Sequence, residues 1–130
     1  MIDEVIAFLR ARLDEVEAAA SAARTSGQWW VDGPAEQSGL WWVYDTGAKF
    51  ESEDVARHIA RHDPTYVLDN VATMRLIVDE HSPTSRVVGA SEPEALGCRT
   101  CRTREWPCRT LRILARPWCD HPEFDHTWRL

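Results

Sequence analysis

Three cysteines within an eleven-residue stretch constrain this chain more than any other feature. Cys98-Arg99-Thr100-Cys101 is a C-x2-C knuckle, and Cys108 follows after six further residues. A two-residue spacer lets two thiolates turn back onto one ion. The softness of thiolate and a preference for four tetrahedral ligands point to zinc. C-x2-C alone also describes a redox dithiol, but no thioredoxin-like strand and helix pattern surrounds it, and Cys108 stands at the spacing of a third ligand. The expectation is structural zinc on Cys98, Cys101 and Cys108.

A fourth ligand must then come from His81, Cys119 or His121. If residues 109–116 are helical, a rise of about 1.5 Å per residue puts some 12 Å between Cys108 and Cys119. Sulfurs on one zinc lie only about 3.8 Å apart, given Zn–S bonds of about 2.3 Å. Cys119 is awkward unless the chain doubles back. His81 escapes this difficulty because a long segment separates it from Cys98. A Cys3His site completed by His81 is the favoured set. Cys108, just ahead of a helix, gains a further tendency to ionise from the helix dipole.

The path to His81 is written in hydrophobic spacing. Asp63-Pro64 restarts the chain after an earlier helix, Asp being a good N-cap and Pro tolerated in the first turn. From Pro64 the apolar positions Val67, Val71, Met74 and Val78 recur at intervals of four, three and four. One more interval of three lands on His81, which places the imidazole on the packed side of the helix end before Ser82-Pro83 breaks it. The preceding helix is capped by Ser52 and runs to about His62, with Val55 and Ile59 marking its apolar side.

Upstream, Ile2, Ile6, Leu9, Leu13, Val16, Ala20 and Ala23 form a stripe along an amphipathic helix that ends near Thr25-Ser26-Gly27. Such a stripe serves either packing on the chain's own core or a homodimeric helix pair through residues 2–23. Two aromatic runs follow, Gln28-Trp29-Trp30-Val31 and Leu40-Trp41-Trp42-Val43-Tyr44, separated by turn residues. They read as an antiparallel hairpin over 28–44, and strand alternation gives each Trp-Trp pair one inward and one outward indole. Residues 82–97 read as a loop without periodicity. Thr110–Arg116 reads as a short helix between Pro107 and Pro117.

The net charge of −6 is unevenly spread. Arg99, Arg102, Arg104, Arg109, Arg112 and Arg116 face only Glu105 in the cysteine segment, which makes it about +5 and leaves about −11 elsewhere. The arginines either neutralise the acidic body or present a basic face to nucleic acid, through Arg99, Arg102, Arg104, Arg109 and Arg112. No run approaches the roughly 20 apolar residues of a membrane span, and the opening Met1-Ile2-Asp3-Glu4 is no secretory leader. A cytoplasmic location is expected, where thiols stay reduced and cysteines serve as ligands.

Other constellations are weaker. His58 and His62 have the four-residue spacing of a helical metal pair, but Ile59 stands where a zincin carries its Glu. The tail Asp120-His121-Pro122-Glu123-Phe124-Asp125-His126 offers carboxylates and imidazoles for a hydrolytic or second metal site. Its Asp-x-Pro-Glu order is also how a helical turn is capped. Neither a nucleophile elbow nor a phosphate-binding glycine loop is present.

Several segments carry a resemblance. Ile6-Ala7-Phe8-Leu9-Arg10-Ala11-Arg12-Leu13-Asp14-Glu15, His58-Ile59-Ala60-Arg61-His62-Asp63-Pro64, the helix end from Arg75 to His81, Pro107-Cys108-Arg109-Thr110-Leu111-Arg112 and Asp120-His121-Pro122 resemble a family of small actinobacterial and actinophage proteins. The likeness spans nearly the whole chain and implies no activity. It implies a histidine with three cysteines, usually without a cysteine at position 119, in keeping with His81 as a ligand.

The expectation is one α+β domain over 1–130. It is mainly helical, with a helix over 1–24, an aromatic β-hairpin over 28–44, two helices over 52–81, and a zinc knuckle, short helix and tail over 98–130. Its expected role is a non-enzymatic interaction or regulatory module with a protein partner, because four protein ligands leave zinc no open position. Nucleic-acid binding and metal-dependent hydrolysis are the rivals.

Overall fold

The computed structural model describes residues 3–86 and 95–130. The chain is α+β. Four helices, α1 (Glu4–Ala22), α2 (Glu53–Arg61), α3 (Pro64–Glu80) and α4 (Arg109–Ala115), accompany strands β1 (Val31–Asp32), β2 (Trp41–Val43), β3 (Ala48–Phe50), β4 (Pro83–Arg86) and β5 (Ala95–Cys98). It divides into two compact units, Glu15–Val71 and Met1–Asp14 with Ala72–Leu130, and the boundaries fall inside α1 and α3. No helix among the described residues is long and apolar enough to cross a membrane.

In the unit Glu15–Val71, β1 pairs antiparallel with β2, and β2 with β3, in the order β1-β2-β3. Strand β3 lies beyond the expected hairpin over 28–44 and adds a third strand to it. Ala-Lys-Phe is short, and its strand character comes from the register Val43↔Ala48 across a turn with Asp45 and Gly47 at positive φ. Each Trp pair divides between faces. Trp29 and Trp41 pack on a core of Val43, Ala56 and Ala60, whereas Trp30 and Trp42 are exposed. Trp30 stacks on Tyr44 at 4.2 Å, and the Lys49 ammonium lies 4.2 Å from the centre of Trp42.

Helix α2 begins as expected, with Ser52 Oγ accepting from Val55 N at 3.3 Å. Its inner face matches the expected one only in part: Ile59 packs on the core, but Val55 does not. Ala56 and Ala60 are buried and Val55 is 46 % exposed, because small side chains let the helix approach the sheet closely. Helix α3 starts at the buried Asp63. One carboxylate oxygen accepts from Tyr66 N at 2.9 Å, capping the helix, and the other accepts from Trp29 N at 3.2 Å.

In the other unit, Ile6, Leu9 and Leu13 of the α1 stripe are buried, together with Val5 and Phe8. The buried face is therefore wider than a coiled-coil seam. Phe8 meets Trp128 at 5.2 Å and Phe124 at 6.0 Å, tying the first helix to the last residues of the chain. Asp14 pairs with Arg75 at 2.7 Å, and the Trp106 indole donates to Asp3 at 2.7 Å. Val78, Cys98, Cys108, Leu111 and Ala115 are buried in the same unit.

Candidate metal centre

The segment read as a loop over 82–97 contains a two-stranded ladder instead. Strands β4 and β5 pair antiparallel from Pro83↔Cys98 to Arg86↔Ala95, and the rest of that segment, 87–94, lies outside the described residues. Pro-Thr-Ser-Arg lacks apolar alternation, so nothing in it announces a strand. Proline is admissible here as the first residue of a strand. The ladder closes the distance between the end of α3 and the knuckle, making neighbours of positions 83 and 98.

Two further contacts dock the knuckle on the helix end. Arg99 N donates to the Ser82 carbonyl at 3.0 Å, and the Thr100 hydroxyl donates to the Glu80 carbonyl. Inside the knuckle, Arg102 N donates to the Cys98 carbonyl at 3.0 Å and Cys101 N to the Cys98 sulfur at 3.4 Å. Arg102 takes a left-handed φ of 56°, which turns the chain back after the second cysteine. Gly97 precedes the knuckle, and a Cβ there would lie 2.9 Å from the Thr103 carbonyl oxygen. Glycine is what allows that close passage.

His81 Nδ1 lies 3.3 Å from Cys98 Sγ, 3.4 Å from Cys101 Sγ and 3.6 Å from Cys108 Sγ. All four ligand atoms fall within 4.8 Å of one another. A tetrahedron with Zn–S of about 2.3 Å and Zn–N of about 2.0–2.1 Å requires N···S separations of about 3.5 Å. The four groups can hold a metal ion. Among the described residues this is the one group of three or more such side chains that converges in this way.

The thiols also bear the electrostatic mark of crowding. Burial, and then the neighbouring Cys98 and Cys101 sulfurs, push the Cys108 thiol up to about 12, against an opposing N–H from Leu111 at the start of α4. The dipole advantage expected for Cys108 is thus outweighed without a cation. Burial and then Cys98 also raise Cys101. Burial opposes ionisation of Cys98 as well, but the Cys101 N–H, the His81 ring and the Thr100 backbone bring it down to about 7. Three converging sulfurs cannot all ionise alone, and a cation at their focus removes that conflict.

Cys119 follows the short turn Arg116–Trp118 beyond α4 and does not join the cluster. His121 is engaged elsewhere: the Arg12 guanidinium lies on its ring, Phe8 meets it edge-on at 5.6 Å, and its Nδ1 accepts from Glu123 N at 3.1 Å. The pair His58 and His62 is closed internally, with His62 Nδ1 2.7 Å from the His58 carbonyl. In the tail, Asp125 accepts from Thr127 N and Oγ1, both at 2.8 Å, and these bonds depress its carboxyl. It caps the turn His126–Trp128.

Of the arginines, Arg112 pairs with Glu105 at 2.5 Å. Arg99, Arg102, Arg104, Arg109 and Arg116 are exposed and form no ion pair among the described residues. Neither the curated proteins nor the solved structures contain a match to this chain. The chain belongs to a family of unknown function (DUF6221), whose family model matches residues 2–130.

Proposed function

We propose that this protein is a zinc-stabilised interaction or regulatory module of the reducing cytoplasm, without catalytic activity of its own. The observation that carries the reading is the convergence of His81 Nδ1 with three sulfurs at 3.3–3.6 Å, close to zinc geometry. Four protein ligands fill a tetrahedron and leave no position for substrate, which gives the ion a structural role. It would clasp the end of α3 to the arginine-rich knuckle. The sequence resemblance suggests an origin in actinobacteria or their phages, and a module without an open metal position would act through a protein partner.

Native mass spectrometry with and without a chelator tests this. One zinc per chain is expected, and a folded protein that retains no metal overturns the reading. The same spectrum reports the number of chains, and with it any homodimer through residues 2–23.

A second reading is nucleic-acid binding through the cysteine segment. It is favoured by Arg99, Arg102, Arg104, Arg109 and Arg116, exposed without carboxylate partners among the described residues. Such binding weakens steeply with salt. No binding at any salt concentration rules it out.

A further inference from the structure

Helix α4 carries Arg109 and Arg112 and is followed directly by Arg116, at the spacing i, i+3, i+7 that puts three side chains on one face over about 10 Å. These arginines line a groove of about 450 Å³ together with Arg129 from the end of the chain. No acidic side chain lines the groove. Its floor is apolar, from the buried Phe124 and Trp128. Cys119 stands in its wall.

The four guanidinium groups have different duties. Arg112 is held by Glu105 at 2.5 Å and donates to the Arg129 carbonyl at 3.4 Å, which keeps the Arg129 backbone beside α4. Arg112 is a positioning residue. Arg109, Arg116 and Arg129 have no ion-pair partner among the described residues and lie at the groove. Three guanidinium groups without an ion-pair partner among the described residues, over an apolar floor and with Leu130 beside them, favour an anion. One carboxylate supplies one charge. A chain of phosphates supplies several within the same length, and guanidinium forks match phosphate oxygens in bidentate geometry. The volume suits a small ligand or a few nucleotides.

We propose that this groove binds phosphate groups, with Arg109, Arg116 and Arg129 as the contacting cations. The inference rests on the nucleic-acid reading above and narrows it to a second face of the cysteine segment, separate from the knuckle arginines. Phosphate of this density comes either from a free nucleoside triphosphate or from a single strand of nucleic acid.

The test uses the full zinc-loaded chain, with fluorescently labelled single-stranded oligo-dT, adenosine triphosphate and poly-glutamate as probes. A phosphate probe is expected to bind and poly-glutamate is not. Binding of both ATP and oligo-dT identifies the phosphate itself as the determinant, and oligo-dT alone identifies the strand. R109Q/R116Q/R129Q should weaken binding at least about tenfold and flatten the salt slope for oligo-dT by about 2. R99Q/R102Q/R104Q should weaken binding clearly less than the groove variant does, and zinc content should match wild type in both variants.

Alkylation of Cys119 in the unaltered chain gives a second readout. Zinc shields the other three thiols, and a bound phosphate probe should slow modification of Cys119. If the knuckle variant loses binding while the groove variant keeps it, the groove is wrong and the nucleic-acid reading stands. If neither phosphate probe binds, both fail. Equal binding of poly-glutamate also overturns the groove as a phosphate site.

Discussion

His81 Nδ1 lies 3.3 Å from Cys98 Sγ although seventeen positions separate the two residues in the chain. The end of α3 and the two-stranded ladder that pairs Pro83 with Cys98 bring them together. The zinc reading assigns His81 and Cys119 opposite roles. His81→Ala should abolish stoichiometric zinc at micromolar concentrations. Cys119→Ser should keep one zinc per chain, measured by metal analysis after gel filtration. Structural zinc contributes on the order of 10 kcal/mol to folding at neutral pH, so His81→Ala should also lower the melting temperature sharply. Loss of zinc from Cys119→Ser alone would falsify the assignment.

Metal uptake should displace protons in a pattern set by the three thiols. At pH 8 the Cys98 thiol, brought down to about 7, is already largely ionised, whereas Cys101 is raised and Cys108 is pushed up to about 12. Zinc binding at pH 8 is therefore expected to release about two protons from thiols, and the affinity to fall about a hundredfold per unit of pH lost near that point. Titration calorimetry in buffers of different ionisation enthalpy counts these protons. A count near zero contradicts thiolate ligation.

Gly97 should control the centre without touching the metal. A methyl at this position would meet the Thr103 carbonyl oxygen at 2.9 Å, and that oxygen belongs to backbone that cannot swing aside. Gly97→Ala is expected to displace the knuckle, costing about 1–3 kcal/mol of stability and weakening zinc retention in competition with a chelator. Unchanged retention would mean that the knuckle tolerates the shift.

Asp63 supports the other unit through two backbone donors, Tyr66 N and Trp29 N. Asp63→Ala removes an N-cap worth about 1 kcal/mol and strands a second N–H at a further cost of about 1–3 kcal/mol. Asp63→Asn keeps one carbonyl acceptor and should lose less. Urea unfolding of both variants gives the order, and equal losses would show that charge rather than acceptor count governs this position.

Much of this was legible in sequence because local spacing encodes it. The stripe of Val67, Val71, Met74 and Val78 leads to His81 without any knowledge of the fold, and the C-x2-C spacing limits where Cys98 and Cys101 can point. The alternation of Trp41 with Trp42 follows from strand geometry alone, whereas Trp29 and Trp30 precede β1. By contrast, Val55 and Ala56 are one residue apart, and only the closeness of α2 to its sheet decides that the smaller side chain goes inside.

Local sequence settles the C-x2-C knuckle with Cys108 as a third candidate, the caps at Ser52 and Asp63, and the helix end that carries His81. Each follows from chain geometry over about fifteen residues or fewer. Tertiary structure alone decided that Pro83 pairs with Cys98 and that His81 and Cys108 share one focus. It alone also opened a groove between Arg129 and the arginines of α4. Those relationships join positions distant in sequence, and strand pairing in a segment without hydrophobic alternation is fixed by backbone hydrogen bonds that depend little on residue type, proline lacking only the N–H.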